Sequence, residues 1–339
     1  MIRSNLWARF SEADRSEELS GQTFPIPSDH ESLPPLLYQW QEGVEDLENY
    51  FPVATHPTHI GDRYQNNRYE VVHKLGFGSY STVWLAKNHD KSCFVALKIV
   101  VATFFEESRE AKILTRLASG KQNHPGRRSV LTLLDEFTIT RPNGRHQCIV
   151  TEALGCSIAN SKNETMPWKF PVNAARAIGV QVLLGLDYIH SCGVVHGDGK
   201  STGPETHRYC IPPARTYVSC QDVKEDCGAI IADFGEAFLP TESPTRLHTP
   251  VLLLPPEFLF DESLGTAIDL WTLGSTLLGL MGRQGELGAD EMAALEKLLS
   301  SMLTYEPALC ITAKEALASE WMYKWGLPAW KKTTLNVAA

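Results

Sequence analysis

The chain has 339 residues, 43% of them hydrophobic and 21% charged, with a formal net charge of −9 at pH 7. This composition is typical of a globular protein with a real core, built as one large domain or two lobes. The acidic balance argues against nucleic acid as the main partner, because a phosphate backbone is bound by a basic face. No apolar run reaches the length that spans a bilayer, so no membrane partner is expected.

Residues 1–62 are polar and interrupted by prolines, as in FPIPSDHESLPPLLYQW, and they predict an N-terminal extension with at most short helices. The leader MIRSNLWARF carries two arginines and no acid, like the start of a mitochondrial transit peptide. Four acidic residues between positions 12 and 18 weaken that interpretation. A cytoplasmic or nuclear location is therefore expected, and eight cysteines without a secretory signal favour reduced thiols.

Short strands are predicted from Tyr69 onward. YEVVHKL, TVWLAKN and CFVALKIVV are rich in β-branched and aromatic residues, and SVLTLLDEFTIT and HQCIVTEAL flank the turn RPNG as a hairpin. The intervening EESREAKILTRLAS has helical periodicity, with one face formed by Glu106, Glu110, Ile113, Leu114 and Leu117. These segments predict a five-stranded sheet with one helix.

Helices dominate after Gly155. The apolar spacing predicts helices over VNAARAIGVQVLLGLDYIHSCG, AIDLWTLGSTLLGLM and ADEMAALEKLLSSML. A fourth, TAKEALASEWM, opens with Thr312 as N-cap and Glu315 three residues on, which is a capping box. The predicted class is α+β, a small β lobe followed by a larger helical lobe.

Three motifs carry chemistry. LGFGSYSTVWLA contains Gly76 and Gly78, which let the backbone N–H groups approach a polyphosphate closely. Lys98 lies in the apolar strand VALKIV, where a buried ammonium needs a partner, and Glu110 on the next helix can supply it. Asp233 follows an apolar strand in IIADFGEAF, where its carboxylate can ligate Mg²⁺. Each motif alone is weak, and their order along the chain makes chance remote.

In this order the motifs resemble the eukaryotic protein kinases, over residues 69–325. LLPPEFLF holds Pro256-Glu257 where these kinases have Pro-Glu, and IDLWTLG places Asp269 to hold the catalytic-loop backbone. The stretches HPTHIGDRYQNNRYEVVHKLGFGSYSTVWLAKN and LLDEFTITRPNGRHQCIVTEALG are similar to the SR-protein kinase family, especially its fungal members. Ser81 in place of a third glycine and Gly197 before the catalytic Asp also fit that family.

The resemblance implies a bilobal fold, with residues 69–153 as N-lobe, 154–325 as C-lobe and 326–339 as a tail. It implies a monomeric serine/threonine kinase that uses ATP and Mg²⁺ on a basic, Arg-Ser-rich protein substrate, without direct contact with nucleic acid. Catalytic roles fall to Asp198, Lys200, Lys98 and Glu110, and metal binding to Asp233. The residues implied in nucleotide binding are Leu75, Gly76, Phe77, Gly78, Ser79, Tyr80, Ser81, Val83, Ala96, Lys98, Glu152 and Leu154.

The pattern breaks after the catalytic carboxylate. Spacing in DYIHSCGVVHGD puts that carboxylate at Asp198, but the family's Asn for a second Mg²⁺ falls on Gly203, and no Asn occurs from 193 to 233. DVKEDC repeats the pattern with Asp222, which remains an alternative base. Two readings stay open, an active kinase and a pseudokinase or nucleotide-binding scaffold; a structural remnant that binds no nucleotide fits less well, because the glycine loop and Lys98 are intact.

Other departures concern regulation and packing. With Gly197 in place of the usual Arg, a phosphorylated activation loop has no partner there, so activity independent of phosphorylation at Ser243, Thr245 or Thr249 is expected. LLGLMGRQGELGADEM shortens the region that helps dock substrate. Cys310 replaces the family's Arg, so Glu257 is expected to lack its partner, at a cost in stability.

We hypothesise that 199–221 is an inserted segment encoded by a translated intron. Gly199-Lys200 can be encoded by GGTAAG, which contains a splice-donor consensus, and Gln221 by CAG, the acceptor form. Removing the segment plus one Asp leaves VVHGDVKEDCGAIIADFG, a better kinase loop. Transcript sequencing is expected to detect a species spliced at these positions; reads that only run continuously through the segment would remove the hypothesis.

Overall fold

The computed structural model describes residues 55–105, 108–141, 143–155, 158, 169–197, 223, 228–244, 247, 254–260, 263–282, 284 and 287–336. All of them fall in one compact unit, 38–339. The proposed insertion 199–221 and the extension as far as residue 54 lie outside the described residues. Within the described ranges, each helix is too short or too polar to cross a lipid bilayer.

The strands form one antiparallel sheet in the order β1-β2-β3-β4-β6-β5. Their bounds are β1 Arg63–Tyr64, β2 Tyr69–Gly78, β3 Ser81–Asn88, β4 Cys93–Val100, β5 Leu133–Arg141 and β6 Gly144–Glu152. Five of these are the expected strands, and the sixth is β1, which pairs with β2 through Arg63 and Tyr64 alone. A strand of two residues is too short to show the alternation of apolar and polar residues that indicates a strand. The prediction of five strands was therefore too low by one.

The helices follow the expected order. They are α1 Glu110–Ala118, α2 Val172–Ser191, α3 Pro256–Leu259, α4 Ala267–Met281, α5 Ala289–Met302, α6 Ala313–Leu317 and α7 Leu327–Asn336. The Thr312–Glu315 capping box at the start of α6 is confirmed, with both reciprocal bonds made. A π-helical turn, Met322–Gly326, leads into α7, so a helix occupies most of the segment assigned to the tail.

Four apolar clusters fill the described interior, and three of them shape the site. The first lies within the sheet around Tyr69, Trp84 and Leu97, and the second surrounds α2 and includes the fully buried Trp321. The third joins the sheet to the helical part, with Leu114 of α1, Ile149 of β6, Ile189 of α2 and Phe234 in contact. Because Phe234 follows Asp233 directly, this junction fixes the position of that aspartate.

A second contact joins the two parts at the backbone. Gly126, in the 3₁₀ turn Pro125–Ser129 between α1 and β5, lies against the main chain of α2. A Cβ at this position would fall 1.7 Å from the carbonyl oxygen of Leu184. Only glycine permits so close an approach.

Residues 55–64 form a strap packed on the sheet, and the expected domain boundary at 62 lies within it. His56 is 3% exposed and His146 of β6 is 0% exposed, and their rings meet edge to face at 5.0 Å. His146 Nδ1 lies 3.0 Å from the Val100 carbonyl oxygen and therefore carries a proton, while His56 Nδ1 lies 3.0 Å from Thr58 Oγ1. Neither Nε2 has a hydrogen-bond partner among the described residues. Burial, the neighbouring His146 and Arg141 lower the pKa of His56 to about 4.

The strap is expected to lose stability in mild acid. The pKa of His56 is lower in the folded chain than its ordinary 6.5, so the unfolded chain takes up the proton first as the pH falls. Stability is then lost between about pH 6.5 and about pH 4, with roughly 2 kcal/mol gone from pH 7 to pH 5. Urea unfolding at both pH values measures this loss.

The matched variants are His56→Phe and His59→Phe. Phenylalanine at 56 keeps a buried ring but cannot be protonated, so the loss between the two pH values is expected to shrink. His59, whose side chain is 71% exposed, is the control, and its variant should lose as much as the unmodified chain. An equal loss in His56→Phe and the unmodified chain would contradict the prediction.

Candidate active site

A cluster of three charged side chains lies where β4, α1 and the segment after Ile231 meet. Ile231 itself pairs with Val130 in an isolated parallel β-bridge. Lys98 Nζ is 2.6 Å from Glu110 Oε2 and 3.1 Å from Asp233 Oδ1. The Lys98 side chain is 19% exposed, Glu110 only 4% and Asp233 42%. The structure therefore brings together three residues that the sequence singled out separately.

The charge state of Lys98 follows from this geometry. Burial alone would lower its pKa, but the Glu110 and Asp233 carboxylates and their hydrogen bonds outweigh burial and raise the pKa above its ordinary value. Lys98 is thus a permanent cation. Two carboxylates and one ammonium leave a net negative charge that favours a bound cation.

Asp233 has φ 67, the left-handed region that few residues other than glycine adopt. Such strain in a well-packed segment is typical of functional sites. Gly235, two residues on, lies close to the cluster: a Cβ there would be 3.6 Å from Asp233 Oδ1 and 3.7 Å from Lys98 Nζ. The backbone after Asp233 thus passes directly beside all three charges.

The residues implied in nucleotide binding lie on adjacent strands. Gly76 of β2 is opposite Val83 of β3, and Val83 is opposite Lys98 of β4. The rest occupy the same strands, the turn between β2 and β3, or the end of β6 and the residues just after it: Leu75, Phe77, Gly78, Ser79, Tyr80, Ser81, Ala96, Glu152 and Leu154. A Cβ on Gly76 or Gly78 would meet nothing within 4 Å. Packing among the described residues does not require these glycines, which leaves approach of a ligand as their use.

The tip of this turn is held from outside the sheet. The Tyr80 ring packs edge to face on Phe104 with centroids 4.5 Å apart. Its backbone carbonyl also accepts a hydrogen bond from Val101 N at 2.9 Å. Burial and the Glu236 carboxylate raise the pKa of Tyr80, so its hydroxyl stays protonated.

Asp269 at the start of α4 anchors the loop that precedes Asp198. Its two carboxylate oxygens accept hydrogen bonds from His196 N at 2.8 Å and Gly197 N at 2.9 Å, and His190 Nε2 lies 2.9 Å away. Burial alone would raise the pKa of Asp269, but these partners outweigh it and the pKa is lowered. The expected role of Asp269 in holding this backbone is confirmed.

Gly197 is required by its own backbone. It has φ 71, and a Cβ would lie 2.9 Å from the Glu236 carbonyl oxygen and 3.1 Å from the Phe238 ring. An arginine at this position would be strained and would push the segment after Asp233 away.

Several expected site residues lie outside the described residues: Asp198, Lys200, Gly203 and Asp222. The structure leaves the choice of base between Asp198 and Asp222 as a prediction. The backbone is described as far as Gly197, where the Asp269 anchor ends.

The expectation that Glu257 lacks a partner was wrong. Glu257 is 2% exposed and takes part in a polar interaction within the fold. Burial and then the Glu257 carboxylate raise the pKa of the Cys310 thiol to about 11. The Cys310 thiol therefore stays neutral beside the carboxylate.

Two contacts near the site were not predicted from the sequence. Arg109, immediately before Glu110, is 2.8 Å from Glu242 in the 3₁₀ turn Pro240–Glu242. Arg116 Nε, near the other end of α1, donates to the Cys192 carbonyl oxygen at 2.6 Å. Both contacts join residues far apart in the chain, and single charged residues on a helix carry no signal of a distant partner.

Replacing Asp269 by asparagine is expected to destabilise the loop anchor. An amide offers one acceptor oxygen where two backbone N–H groups need two, and the cost is about 2–3 kcal/mol of unfolding free energy. Urea unfolding should show a lower midpoint at an unchanged slope. Asp90→Asn is the control, because the Asp90 side chain is 66% exposed in its pair with Arg68. Equal midpoint shifts in the two variants would refute the anchor.

Comparison with known proteins agrees with this geometry. Residues 69–203 match the family model described as protein kinase domain. A serine/threonine protein kinase of Aspergillus fumigatus is 32% identical over 239 residues, 66% of this chain and 60% of that protein. The protein kinase dsk1 of Schizosaccharomyces pombe is 37% identical over 171 residues, 49% of this chain and 31% of dsk1.

The human SRSF protein kinase 3 is 37% identical over 194 residues, 56% of this chain and 33% of that kinase. The chain thus spans at most 60% of the length of these three relatives. The match begins at Tyr69, the first residue of β2, and includes the glycine turn, Lys98 and Glu110. Residues 69–203 thus match the protein kinase domain, and the chain is similar to the fungal kinases and to SRSF protein kinase 3.

Proposed function

We propose that this chain is a serine/threonine protein kinase that transfers the γ-phosphate of ATP to a basic, Arg-Ser-rich protein. The observation that carries the proposal is the Lys98–Glu110–Asp233 cluster, with 2.6 Å and 3.1 Å contacts, beside an open glycine turn. These are the parts that a kinase needs to hold a triphosphate in a small lobe above a helical one.

The residues present fit Mg²⁺. Asp233 offers a carboxylate that is 42% exposed beside a cluster of net negative charge, and Mg²⁺ prefers such oxygen ligands. When bound, the ion would neutralise charge on the β- and γ-phosphates. The second family position for a metal ligand is Gly203, which has no side chain to offer.

The chain's own residues supply positioning and charge. Lys98, kept protonated and oriented by Glu110, would bind the α- and β-phosphates, and the N–H groups of the glycine turn would cover them. Asp198 would orient the substrate hydroxyl and accept its proton, on a backbone that Asp269 holds as far as Gly197. Lys200 would steady the transferred phosphoryl group.

The substrate class rests on charge and on the relatives. The net charge of −9 suits a basic protein partner. Relatives of this chain include proteins named SRSF protein kinase 3. A monomer in the cytoplasm or nucleus, without nucleic acid or membrane contact, is part of the same proposal.

A nucleotide-binding scaffold is the second candidate. The observation that favours it is Gly203 in the position of the family's Asn, with no Asn elsewhere from 193 to 233. Such a chain would bind ATP through Lys98 and Asp233 and transfer phosphate slowly or not at all.

Two measurements on the purified full chain separate these functions. ATP with Mg²⁺ should raise the melting temperature, with about 2.7 kcal/mol of stabilisation at a ligand concentration 100 times Kd. Phosphate transfer to an Arg-Ser repeat peptide should exceed transfer to an acidic serine peptide. Lys98→Met and Asp233→Asn should each lower the rate on the order of 100-fold, because each removes a preorganised charge.

Lys87→Met is the matched control, because Lys87 lies on the exposed face of β3, and its rate should match the unmodified chain. Stabilisation without transfer would support the scaffold, and no stabilisation by ATP would contradict both functions. If Asp222→Asn abolishes transfer and Asp198→Asn does not, the base is Asp222.

A further inference from the structure

The contact between Arg109 and Glu242 joins two parts of the chain that both lead into the charge cluster. Arg109 Nη1 is 2.8 Å from Glu242 Oε2. Arg109 is the N-cap residue of α1, directly before Glu110, and Glu242 ends the 3₁₀ turn that follows Asp233 and Phe234. The contact therefore closes a ring that runs through Glu110, Lys98 and Asp233.

Apolar packing docks α1 along its length, and its first residue, Glu110, also contacts Lys98. Ala111, Ile113, Leu114 and Leu117 are buried in the junction cluster, and Arg116 bonds to the Cys192 carbonyl at the far end. Burial of several apolar side chains contributes far more than one exposed ion pair. The pair therefore sets the position of the first turn and does little for the stability of the helix.

Arg109 also needs a neighbouring anion. The N-terminus of a helix carries partial positive charge, so an arginine there is repelled unless a carboxylate faces it. The Arg109 side chain makes no capping hydrogen bond to α1. The Glu242 carboxylate supplies a negative charge that compensates both the Arg109 guanidinium and the partial positive charge at the start of α1.

We propose that Glu242 is a positioning residue that holds the first turn of α1 against the segment after Asp233, so that Glu110 stays on Lys98 without any phosphate. The proposal rests on the proposed kinase function. A phosphate on the activation segment commonly performs such a task in switches of this type, through an arginine. Here Gly197 cannot carry that arginine without strain, and an unmodified carboxylate is already in contact with α1.

The size of the effect follows from exposure. The Arg109 side chain is 51% exposed and Glu242 is 48% exposed, and such pairs contribute little, equivalent to roughly a two- to fivefold change. The effect should also be sensitive to salt, because raising the ionic strength from about 0.1 M to about 1 M shortens the Debye length from about 10 Å to about 3 Å.

The experiment uses the full chain and four variants: Glu242→Gln, Arg109→Gln, the double reversal Arg109→Glu with Glu242→Arg, and the control Glu320→Gln. Glu320 pairs with Lys324 at 2.7 Å with side chains 52% and 54% exposed, a match in geometry far from α1. The readouts are kcat, the KM for the peptide, and amide hydrogen exchange of α1, at low and high salt.

The single variants should lower kcat about two- to fivefold at low salt, with the KM for the peptide unchanged, and the double reversal should restore kcat. At high salt the difference from the unmodified chain should vanish. Phosphatase treatment of the unmodified chain should leave kcat intact. Equal kcat in Glu242→Gln, Glu320→Gln and the unmodified chain, no recovery in the double reversal, or loss of activity after phosphatase would each overturn the proposal.

Hydrogen exchange separates this proposal from the proposed function. If the unmodified chain transfers no phosphate, the kinase function fails, but exchange in the first turn of α1 still tests the role of Glu242. Faster exchange in Glu242→Gln that the double reversal slows again supports the positioning role. Identical exchange in all chains overturns it.

Discussion

The site depends on one constraint: an ammonium group placed inside an apolar strand must be accompanied by carboxylates. Lys98 has two, at 2.6 Å from the next helix along the chain and at 3.1 Å from a loop far away in sequence. Breaking such a pair on one side leaves a buried charge without compensation, which is far more costly than losing an exposed pair. The sheet, α1 and the segment around Asp233 are therefore held in mutual register by a charge requirement as much as by apolar packing.

Asp269, in the helical part, is also a buried charged group that is compensated by several polar partners. One buried carboxylate accepts two backbone N–H groups and a histidine ring contact, and it fixes the loop up to Gly197. Phe234 connects the two carboxylate systems, because it follows Asp233 in the chain and its ring contacts the His196 ring edge to face at 4.9 Å. Although Gly203 stands where the resembling family has Asn, the described residues keep a framework that would position the proposed catalytic carboxylate.

Much of this could be predicted from the sequence, because the signals were local. Alternating strands, the 3.6-residue period of α2 and the Thr312 capping box each lie within one stretch of chain, and Lys98 in an apolar strand demands a partner by itself. The strand β1, the contact between His56 and His146 and the pair of Arg109 with Glu242 depend on tertiary proximity between residues that have no unusual neighbours in sequence. Glu257 shows a different error. Because Cys310 replaces the family's Arg, Glu257 was expected to have no partner, whereas it takes part in another interaction in the fold.

The close approach of Gly126 to α2 has a consequence for how firmly the sheet is joined to the helices. At this point the turn that leads into β5 rests on the carbonyl of Leu184 with no side chain between them. A contact between two backbones is rigid, because no side chain lies between them that could relieve a clash by changing its rotamer. A methyl group added at Gly126 would consequently force the turn and α2 apart at this point.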